Sequence, residues 1–346
     1  MPGGDARPVS GQRMAEDADE ARLRPQRLTD FVGQARLREN LAVFIAAARE
    51  RGESLDHTFF SGPPGLGKTT LAAIIANEMG VELTSTAAPA LEKTGDLVAI
   101  LTNLGRHNVF FIDEIHRLRP PVEELLYTAM EDYEIDVVIG QGPAARTLKI
   151  PLPPFTLVGA TTKTGLVSGP LYSRFGITSR LDFYDADEIG TIIHRTAEIL
   201  QVKLDRGAAE QLAGCSRGTP RVANRLVRRM RDFGQVWADG GVSPDIVTRG
   251  LAALDVDQQG LDKVDREILE TIITKYQGGP VGSETLAISI SEAVDTLEDV
   301  YEPFLIQRGF LKRTARGRMV TELAYQHLGM KPRAGGEEDG GQQVLF

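Results

Sequence analysis

Short apolar runs alternate with amphipathic stretches through the first half of the chain. These runs occupy residues 58–60, 81–84, 109–112 and 155–160. A run such as Val109–Ile112, which contains no polar position, is typical of a strand buried on both faces. Strands that alternate with helical segments indicate a parallel sheet flanked by helices. We therefore predict an α/β domain over residues 23–184.

The pattern changes twice beyond this domain. Residues 185–255 show helical periodicity throughout and no strand candidate, which predicts a small all-α lid domain. Residues 256–331 predict three helices and then a strand, a turn and a strand at 310–321, which is the order of a winged-helix domain. The three predicted helices span 262–276, 283–287 and 292–306.

A β-hairpin is predicted inside the first domain. Ile135, Val137 and Ile139 alternate with polar residues, a glycine-rich turn follows at 140–143, and residues 147–150 return. This alternation has the two-residue period of a strand with one apolar face. We expect the hairpin to project from the domain just before the strand at 155–160.

The composition is that of a soluble globular protein. Of 346 residues, 42% are hydrophobic, and the longest apolar run, 41–48, is too short to span a bilayer. The single cysteine, Cys215, excludes an internal disulfide, which fits a reducing, cytoplasmic location without membrane contact. The ends of the chain, 1–22 and 332–346, are polar and lack apolar periodicity, so we predict disordered tails there.

The charge is unevenly distributed. The net charge is −9, which argues against a protein that coats nucleic acid through its whole surface. Residues 217–231 nevertheless contain six arginines and no acid, and residues 308–318 contain four arginines, one lysine and no acid. Local basic surfaces of this kind can bind phosphate backbones.

A phosphate-binding loop is the strongest chemical motif. Residues Gly62–Thr70 fit G-x-x-x-x-G-K-[ST] and lie between a predicted strand and a predicted helix. Backbone N–H groups from Gly65 to Thr70 and the positive end of the helix dipole form a cradle for phosphates. Lys68 would reach the β- and γ-phosphates, and the Thr69 hydroxyl would bind Mg²⁺.

Two carboxylates follow the buried strand at 109–112. Asp113 and Glu114 stand at the carboxyl end of that strand, where ligands bind in parallel sheets. Asp113 is the expected Mg²⁺ partner, and Glu114 would polarise the water that attacks the γ-phosphate. A lone pair of acids is more often a solvated strand end, but its position after a phosphate-binding loop favours an ATPase.

Three further sites are candidates for sensing the nucleotide. Thr161 and Thr162 end the strand at 155–160 and would sense the γ-phosphate; the alternative is a simple strand end. Arg174 is the candidate arginine finger, supplied to the active site of a neighbouring subunit, unless it is merely paired to a surface acid. Arg221, in the first turn of a predicted lid helix, would face the nucleotide.

The order of these motifs resembles that of the RuvB family of AAA+ ATPases, bacterial motors that drive branch migration of Holliday junctions. The resemblance runs from about Leu23 to Met330. The matching segments are Leu23–Pro25, Phe31–Gln34, Gly62–Thr70, Asp113–His116, Met130–Tyr133, Gly142–Arg146, Gly159–Thr162, Arg174–Gly176 and Gly218–Arg221. Gly142–Arg146 and the C-terminal domain are not general AAA+ features, so they make the resemblance specific.

The resemblance implies roles for further residues and partners. Arg174 would act in trans within a homohexamer that encircles duplex DNA, and the ring would act on four-way junctions with RuvA and, in a larger complex, with the resolvase RuvC. The hairpin would dock on RuvA. The ATP contacts implied are Leu23, Arg24 and Tyr184 around adenine and Glu131, Asp132 and Tyr133 near the nucleotide. The hairpin contacts implied are Ile135, Val137 and Ile139, and the wing contacts to DNA are Arg313, Arg316 and Arg318.

Two positions depart from the family pattern, and one terminal segment lies outside it. Val294 stands where many relatives have a DNA-contacting arginine, so we expect that contact to be lost or moved. Ala315 stands where the family usually has proline, so we expect a less rigid wing. The last residues, Gln342–Phe346, resemble peptides that bind the bacterial sliding clamp, although a terminal segment without function is the simpler interpretation.

Two other functions compete with a junction motor. A clamp-loader-like AAA+ protein also carries Ser-Arg-Phe, here Ser173–Phe175, but would lack the hairpin and would end in a helical collar. An ATP-switched DNA scaffold of the replication-initiator type also ends in a winged helix, and for such a protein binding matters more than turnover.

Overall fold

The structure, a computed structural model, describes residues 22–139 and 146–331. A five-stranded sheet forms the centre of its first domain, and all its strand pairs are parallel. The strands are β1 (Thr58–Ser61), β2 (Leu83–Ala87), β3 (Val109–Asp113), β6 (Thr156–Thr161) and β7 (Ile177–Arg180). Their order across the sheet is β2-β3-β6-β1-β7.

The sheet confirms the predicted architecture and adds one strand to it. β7 was missed because it lies at an edge, pairs only with β1, and alternates half-buried and exposed residues in place of an apolar run. The register pairs Ser61 with Thr161 and Ile112 with Gly159, so the carboxyl ends of β1, β3 and β6 meet at one edge of the sheet. Asp113 and Thr161, both predicted to take part in catalysis, end β3 and β6 at that edge.

Helices cover both faces of this sheet and build the lid. The helices of the first domain are α1 (Ala35–Arg51), α2 (Lys68–Met79), α3 (Thr94–Leu101), α4 (Pro120–Glu131) and α5 (Gly169–Tyr172). Those that follow are α6 (Ala186–Ile199), α7 (Arg206–Cys215), α8 (Pro220–Trp237) and α9 (Pro244–Ala253). α6 begins with a capping box in which Glu188 N–H donates to Asp185 and Asp185 N–H donates to Glu188.

The lid is not entirely helical, which corrects the prediction. Two-residue strands β8 (Lys203–Leu204) and β9 (Gly241–Val242) pair in parallel within it. Strands this short carry no periodic signal in the sequence. The chain divides into two compact units between Val247 and Thr248, within α9.

The C-terminal unit has the predicted winged-helix order. Its helices are α10 (Lys263–Tyr276), α11 (Ser283–Ser289), α12 (Val294–Thr296), a π-helical segment (Leu297–Tyr301), α13 (Glu302–Gln307) and α14 (Glu322–His327). The wing is the antiparallel pair β10 (Leu311–Thr314) and β11 (Gly317–Val320). Apolar residues of all three predicted helices and of the wing form one core, and Val294 packs against it.

The predicted hairpin is present as β4 (Glu134–Ile139) and β5 (Arg146–Pro151), paired antiparallel. Its predicted glycine-rich turn and both predicted tails beyond residues 22 and 331 lie outside the described residues. Within the described part of the chain, we find no helix that combines the length and the apolar character needed to cross a membrane.

A buried histidine joins the sheet to the end of α4. Leu157 N–H donates to His57 Nδ1 at 2.9 Å, so the ring proton lies on Nε2, which donates to the Met130 carbonyl at 3.1 Å. The ring packs against Phe155 and Tyr133. Burial lowers the pKa of His57 because it disfavours the charged ring, while the hydrogen bond to the Met130 carbonyl acts in the opposite direction.

We expect this histidine to make stability fall in mild acid. Because the folded-state pKa lies below the unfolded value of about 6.5, the unfolded chain takes up the proton first. The contribution is therefore complete above about pH 6.5 and is lost as pH falls through the folded-state pKa. Thermal unfolding between pH 7.5 and 5.5 should show a steeper loss of Tm in wild type than in His57→Gln, whose amide can make both bonds uncharged. His194→Gln, at an exposed position, controls for removal of a histidine; equal slopes in wild type and His57→Gln would contradict the assignment.

Candidate nucleotide-binding site

The phosphate-binding loop has the predicted strand–loop–helix context. It connects β1 to α2, and Gly65 and Gly67 adopt φ of 83° and 104°, which favour glycine. At Gly62, with φ 132°, an added Cβ would lie 2.5 Å from the Leu181 carbonyl oxygen. The loop therefore requires glycine both for its turns and for its close approach to the chain that follows β7.

The Lys68 side chain folds back onto this loop and binds its carbonyl groups. Its Nζ donates to the carbonyl oxygens of Gly62 at 2.7 Å and Pro63 at 2.8 Å. Burial lowers the pKa of Lys68 to about 8, while Asp113 and Glu114 act in the opposite direction. The ammonium group is thus mostly charged at neutral pH, and phosphate oxygens would replace two neutral acceptors with charged ones.

The two predicted carboxylates share a cavity with the loop. Asp113, Glu114, Thr69 and Thr162 all line a cavity of about 440 Å³. Asp113 accepts a hydrogen bond from Glu114 N–H at 2.9 Å, and Glu114 adopts φ of 53°. Mg²⁺ prefers oxygen ligands, and it usually binds one or two protein groups together with substrate phosphates and several waters. The Thr69 hydroxyl and the Asp113 carboxylate are such protein groups beside a phosphate cradle. The residues present therefore fit Mg²⁺ bound together with a nucleotide.

The two sensor threonines face different neighbours. Thr162 lines the cavity, whereas Thr161 is buried and its hydroxyl lies 2.7 Å from His116 Nδ1. His116 Nε2 in turn lies 3.6 Å from a Glu114 carboxylate oxygen. The His116 side chain is thus packed between Glu114 and Thr161 at the end of β6.

The predicted adenine contacts line the same cavity. Leu23, Arg24 and Tyr184 are all in its wall. The Tyr184 hydroxyl donates to the Leu66 carbonyl at 3.0 Å, and burial raises the pKa of Tyr184. Arg195 of α6, which the sequence did not suggest, donates to the Leu23 carbonyl at 3.0 Å and so fixes that wall to the lid.

Residues of the lid helix α8 form part of the cavity wall. Arg221 lines the cavity, and its backbone N–H lies 3.4 Å from the Gly65 carbonyl oxygen. An added Cβ at Gly65 would lie 3.1 Å from Arg221 Cβ, so the loop and the lid helix are in close contact there. Asn224 and Arg228 of the same helix also line the cavity and were not predicted to do so.

Four predicted nucleotide contacts lie outside the cavity of their own chain. Arg174 donates to the Pro170 carbonyl at 2.7 Å, pairs with Glu131 at 3.1 Å and lies over the Tyr127 ring, 4.4 Å from its centre. Asp132 is exposed, and Tyr133 packs against Phe155 and His57. The structure thus groups Arg174 with Glu131 on a different surface from the phosphate-binding loop.

The wing arginines differ in their surroundings. Arg313 and Arg316 are exposed, whereas Arg318 is 7% exposed. Arg318 Nε donates to Glu302 at 2.6 Å and its Nη2 donates to Glu298 at 2.7 Å. Its guanidinium is therefore occupied by carboxylates inside the domain, which argues against the predicted contact of Arg318 with DNA.

The hairpin residues also differ from the expectation. Ile135 is fully buried in the core of the first domain, and Val137 is half-buried against it, so neither forms an exposed apolar tip. The side chain of Ile139 lies outside the described atoms. Leu148, which is paired with Val137 across the hairpin, is 50% exposed, and the sequence did not single it out.

Comparisons with known proteins match every part of the chain that carries these features. A family model described as the Holliday junction DNA helicase RuvB P-loop domain matches residues 23–181, the RuvB AAA lid domain matches 184–257, and the RuvB C-terminal winged helix domain matches 258–329. The Holliday junction branch migration complex subunit RuvB of Treponema denticola is 60% identical over 338 residues, covering 98% of each chain. That of Treponema pallidum is 58% identical, covering 93% of this chain and 92% of the relative.

Solved structures agree with these matches. The structure of the Thermotoga maritima RuvB Holliday junction branch migration motor superposes with a TM-score of 0.83 at 51% sequence identity. The match covers 89% of this chain and 99% of the other. The similarity therefore extends through both compact units of the chain.

Proposed function

Because the chain belongs to the RuvB family, we propose that it is an ATP-dependent DNA translocase that drives branch migration of Holliday junctions with RuvA, as a hexameric ring around duplex DNA. The observation that carries the proposal is one cavity, at the carboxyl edge of a parallel sheet, that collects the phosphate-binding loop, two carboxylates, a threonine and a lid arginine. Each of these groups has a role in ATP hydrolysis.

The positions of these residues in the cavity support a role for each of them. Lys68 would exchange its carbonyl acceptors for phosphate oxygens, and Thr69 and Asp113 would hold Mg²⁺, which neutralises charge on the phosphates. Glu114, held in a left-handed conformation after β3, would orient the attacking water. Thr162 would donate to the γ-phosphate, and Arg221 would carry the presence of that phosphate to the lid.

A complete site requires an arginine from a second subunit. Arg174 and Glu131 are paired with each other and lie outside the cavity of their own chain. We infer that both face the nucleotide of a neighbour, and that Arg174 exchanges Glu131 for the γ-phosphate when that neighbour binds ATP. Lid movement would then pass along the chain to the winged-helix unit that follows it.

DNA contact is proposed for the wing and not for the helix before it. Residues 292–307 contain five acids and no base among those the structure describes, so this helical stretch would repel phosphates. Lys312, Arg313 and Arg316 of the wing are exposed. Contacts from such a wing would be to phosphates, so binding would lack sequence preference and weaken with salt. Val294 packs against the domain core, and Ala315 lies in the two-residue turn of the wing.

The hairpin is proposed to bind RuvA through its exposed apolar face. Leu148 takes the role that the sequence gave to Ile135, because an exposed leucine on a projecting hairpin can insert into an apolar groove whereas a core residue cannot. We expect Leu148→Asp to remove the stimulation of junction movement by RuvA and to leave the basal rate of ATP hydrolysis unchanged. Thr147→Asp, on the opposite face of β5, is the matched control.

The test of the proposed function is displacement of strands from a synthetic four-way junction with ATP and purified RuvA. Wild type and Thr147→Asp should convert the junction, Leu148→Asp should do so weakly, and Glu114→Gln should bind ATP and DNA without converting it. Hydrolysis by wild type that never moves a junction would contradict the motor and favour a clamp-loader-like protein. DNA binding switched by ATP with negligible turnover would favour the initiator-type scaffold.

Three finer proposals accompany this function. We propose a cytoplasmic location, a larger assembly that includes RuvC, and binding of Gln342–Phe346, which lies outside the described residues, to the sliding clamp. A peptide of residues 334–346 tests the last of these. If it does not bind the cognate clamp at high micromolar concentration, the proposed clamp interaction fails.

A further inference from the structure

The arginines of α8 fall into two groups. Arg225, Arg229 and Arg231 all engage other groups; Arg229 and Arg231 pair with Asp232 at 3.2 Å and 3.4 Å. Among the described residues, the guanidinium groups of Arg221 and Arg228 have no hydrogen-bond or ion-pair partner. Arg221 and Arg228 are also the two arginines of α8 that line the nucleotide cavity. A cation held without a partner at a cavity wall is available to a ligand.

The two cations face different parts of the cavity. Arg221, Asn224 and Arg228 are spaced three and four residues apart, so they occupy one face of the helix. At about 1.5 Å of rise per residue, Arg228 lies about 10 Å further along α8 than Arg221. The Arg221 backbone touches Gly65 of the phosphate-binding loop, so the backbone of Arg228 lies further from the phosphates than that of Arg221.

The neighbours of Arg228 on the cavity wall support this orientation. Asn224, one turn before it, accepts a hydrogen bond from Thr196 of α6 at 2.7 Å, which fixes α8 against α6. Ile192 and Arg195 of α6 line the same cavity, and Arg195 holds the Leu23 carbonyl. Leu23 lines this cavity and is one of the proposed adenine contacts, so these neighbours associate Arg228 with the nucleoside end of the proposed ATP site.

We infer that Arg228 is a nucleotide-binding residue that contacts the nucleoside end of the ligand, through ribose hydroxyls or the acceptor nitrogens of the base. This inference rests on the proposed ATP site and adds a contact to it. Because the contact does not involve the γ-phosphate, it should stabilise bound ATP and bound ADP equally. A contact that is equal in both states raises affinity without raising the rate of the chemical step.

The experiment compares equilibrium binding of ATP and ADP to wild type, Arg228→Met and Arg225→Met. We expect Arg228→Met to raise both Kd values by about 10- to 100-fold, as for loss of a hydrogen bond from a charged donor. The kcat at saturating ATP should stay within about threefold of wild type. Arg225→Met, a control at an exposed arginine of the same helix that does not line the cavity, should bind both nucleotides as wild type does. Melting without nucleotide shows whether both variants are folded.

Two analogues locate the contact. If Arg228 donates to the ribose, the difference in Kd between wild type and Arg228→Met should be smaller for 2′-deoxyATP than for ATP. If it donates to the base, that difference should be smaller for 7-deaza-ATP. Either result supports the inference. Kd values for ATP and ADP within twofold of wild type would overturn it, and so would a loss for ATP alone, which would place Arg228 at the γ-phosphate. If wild type binds no nucleotide, the proposed function fails as well.

Discussion

Replacing Arg174 with alanine is expected to lower the rate of ATP hydrolysis by about 10³-fold or more while ATP remains bound. The guanidinium offsets negative charge that develops on the transferring phosphoryl group, and this charge is greater in the transition state than in bound ATP. Since Arg174 lies outside the cavity of its own chain, its removal leaves the groups that bind ATP in that chain unchanged. Steady-state ATPase assays with DNA and RuvA, together with equilibrium ATP binding, measure both parts of this expectation.

A mixture of two inactive variants tests whether the arginine acts between subunits. Lys68→Ala removes the phosphate contact, and Arg174→Ala removes the finger. In a mixed ring, an interface that takes Lys68 from one variant and Arg174 from the other is complete. With equal amounts and random assembly, about a quarter of the interfaces are complete, so hydrolysis should reappear. A mixture as inactive as its components, although the variants are shown to assemble together, would place Arg174 in a structural role.

The contact between Arg174 and Glu131 bears on the same experiment. The arginine is only 21% exposed in the single chain because it lies over Tyr127 and pairs with Glu131. In the proposed ring, Glu131 would compete with the ATP of the neighbour for the Arg174 guanidinium. The sequence predicted Arg174 to act in the site of a neighbour, and the resemblance placed Glu131 near a nucleotide. Their contact with each other in the single chain could not be predicted, because it depends on the fold.

The sequence predicted features that depend on local patterns. It missed features that depend on contacts between distant segments, such as an edge strand or an ion pair. Buried parallel strands are continuous apolar runs, so β1, β3 and β6 were evident, while β7 has polar positions because it lies at an edge. A phosphate-binding loop is local in sequence and was found completely. The sequence shows which residues are charged but not which of them pair. Arg318 was predicted to be a surface cation, whereas in the structure it donates a hydrogen bond to Glu302, sixteen residues away in the chain. For the same reason Arg228 was counted with its paired neighbours on α8.

Replacing Arg318 with methionine is expected to destabilise the winged-helix unit by about 3–5 kcal/mol, the cost of leaving a buried charge without its partner. Glu302 is 1% exposed, and Arg313, whose Nε is 3.9 Å away, would be its remaining ion-pair partner among the described residues. Burial alone would lower the pKa of Arg318, but the hydrogen bonds and charges of Glu302 and Glu298 together raise it. The pair therefore favours the charged arginine inside the domain.

Arg316→Met is the control that separates stability from DNA binding. Arg316 is exposed in the turn of the wing, so its removal should leave the unfolding temperature unchanged and weaken binding to duplex DNA. The slope of log K against log salt should then fall by about one. Arg318→Met should show the opposite pattern, with earlier unfolding and faster amide exchange in residues 263–320. At temperatures where it is folded, its salt slope should be that of wild type. If Arg318→Met instead unfolds as wild type does and loses one unit of salt slope, Arg318 leaves Glu302 to bind DNA, and the ion pair is a resting state of a phosphate contact.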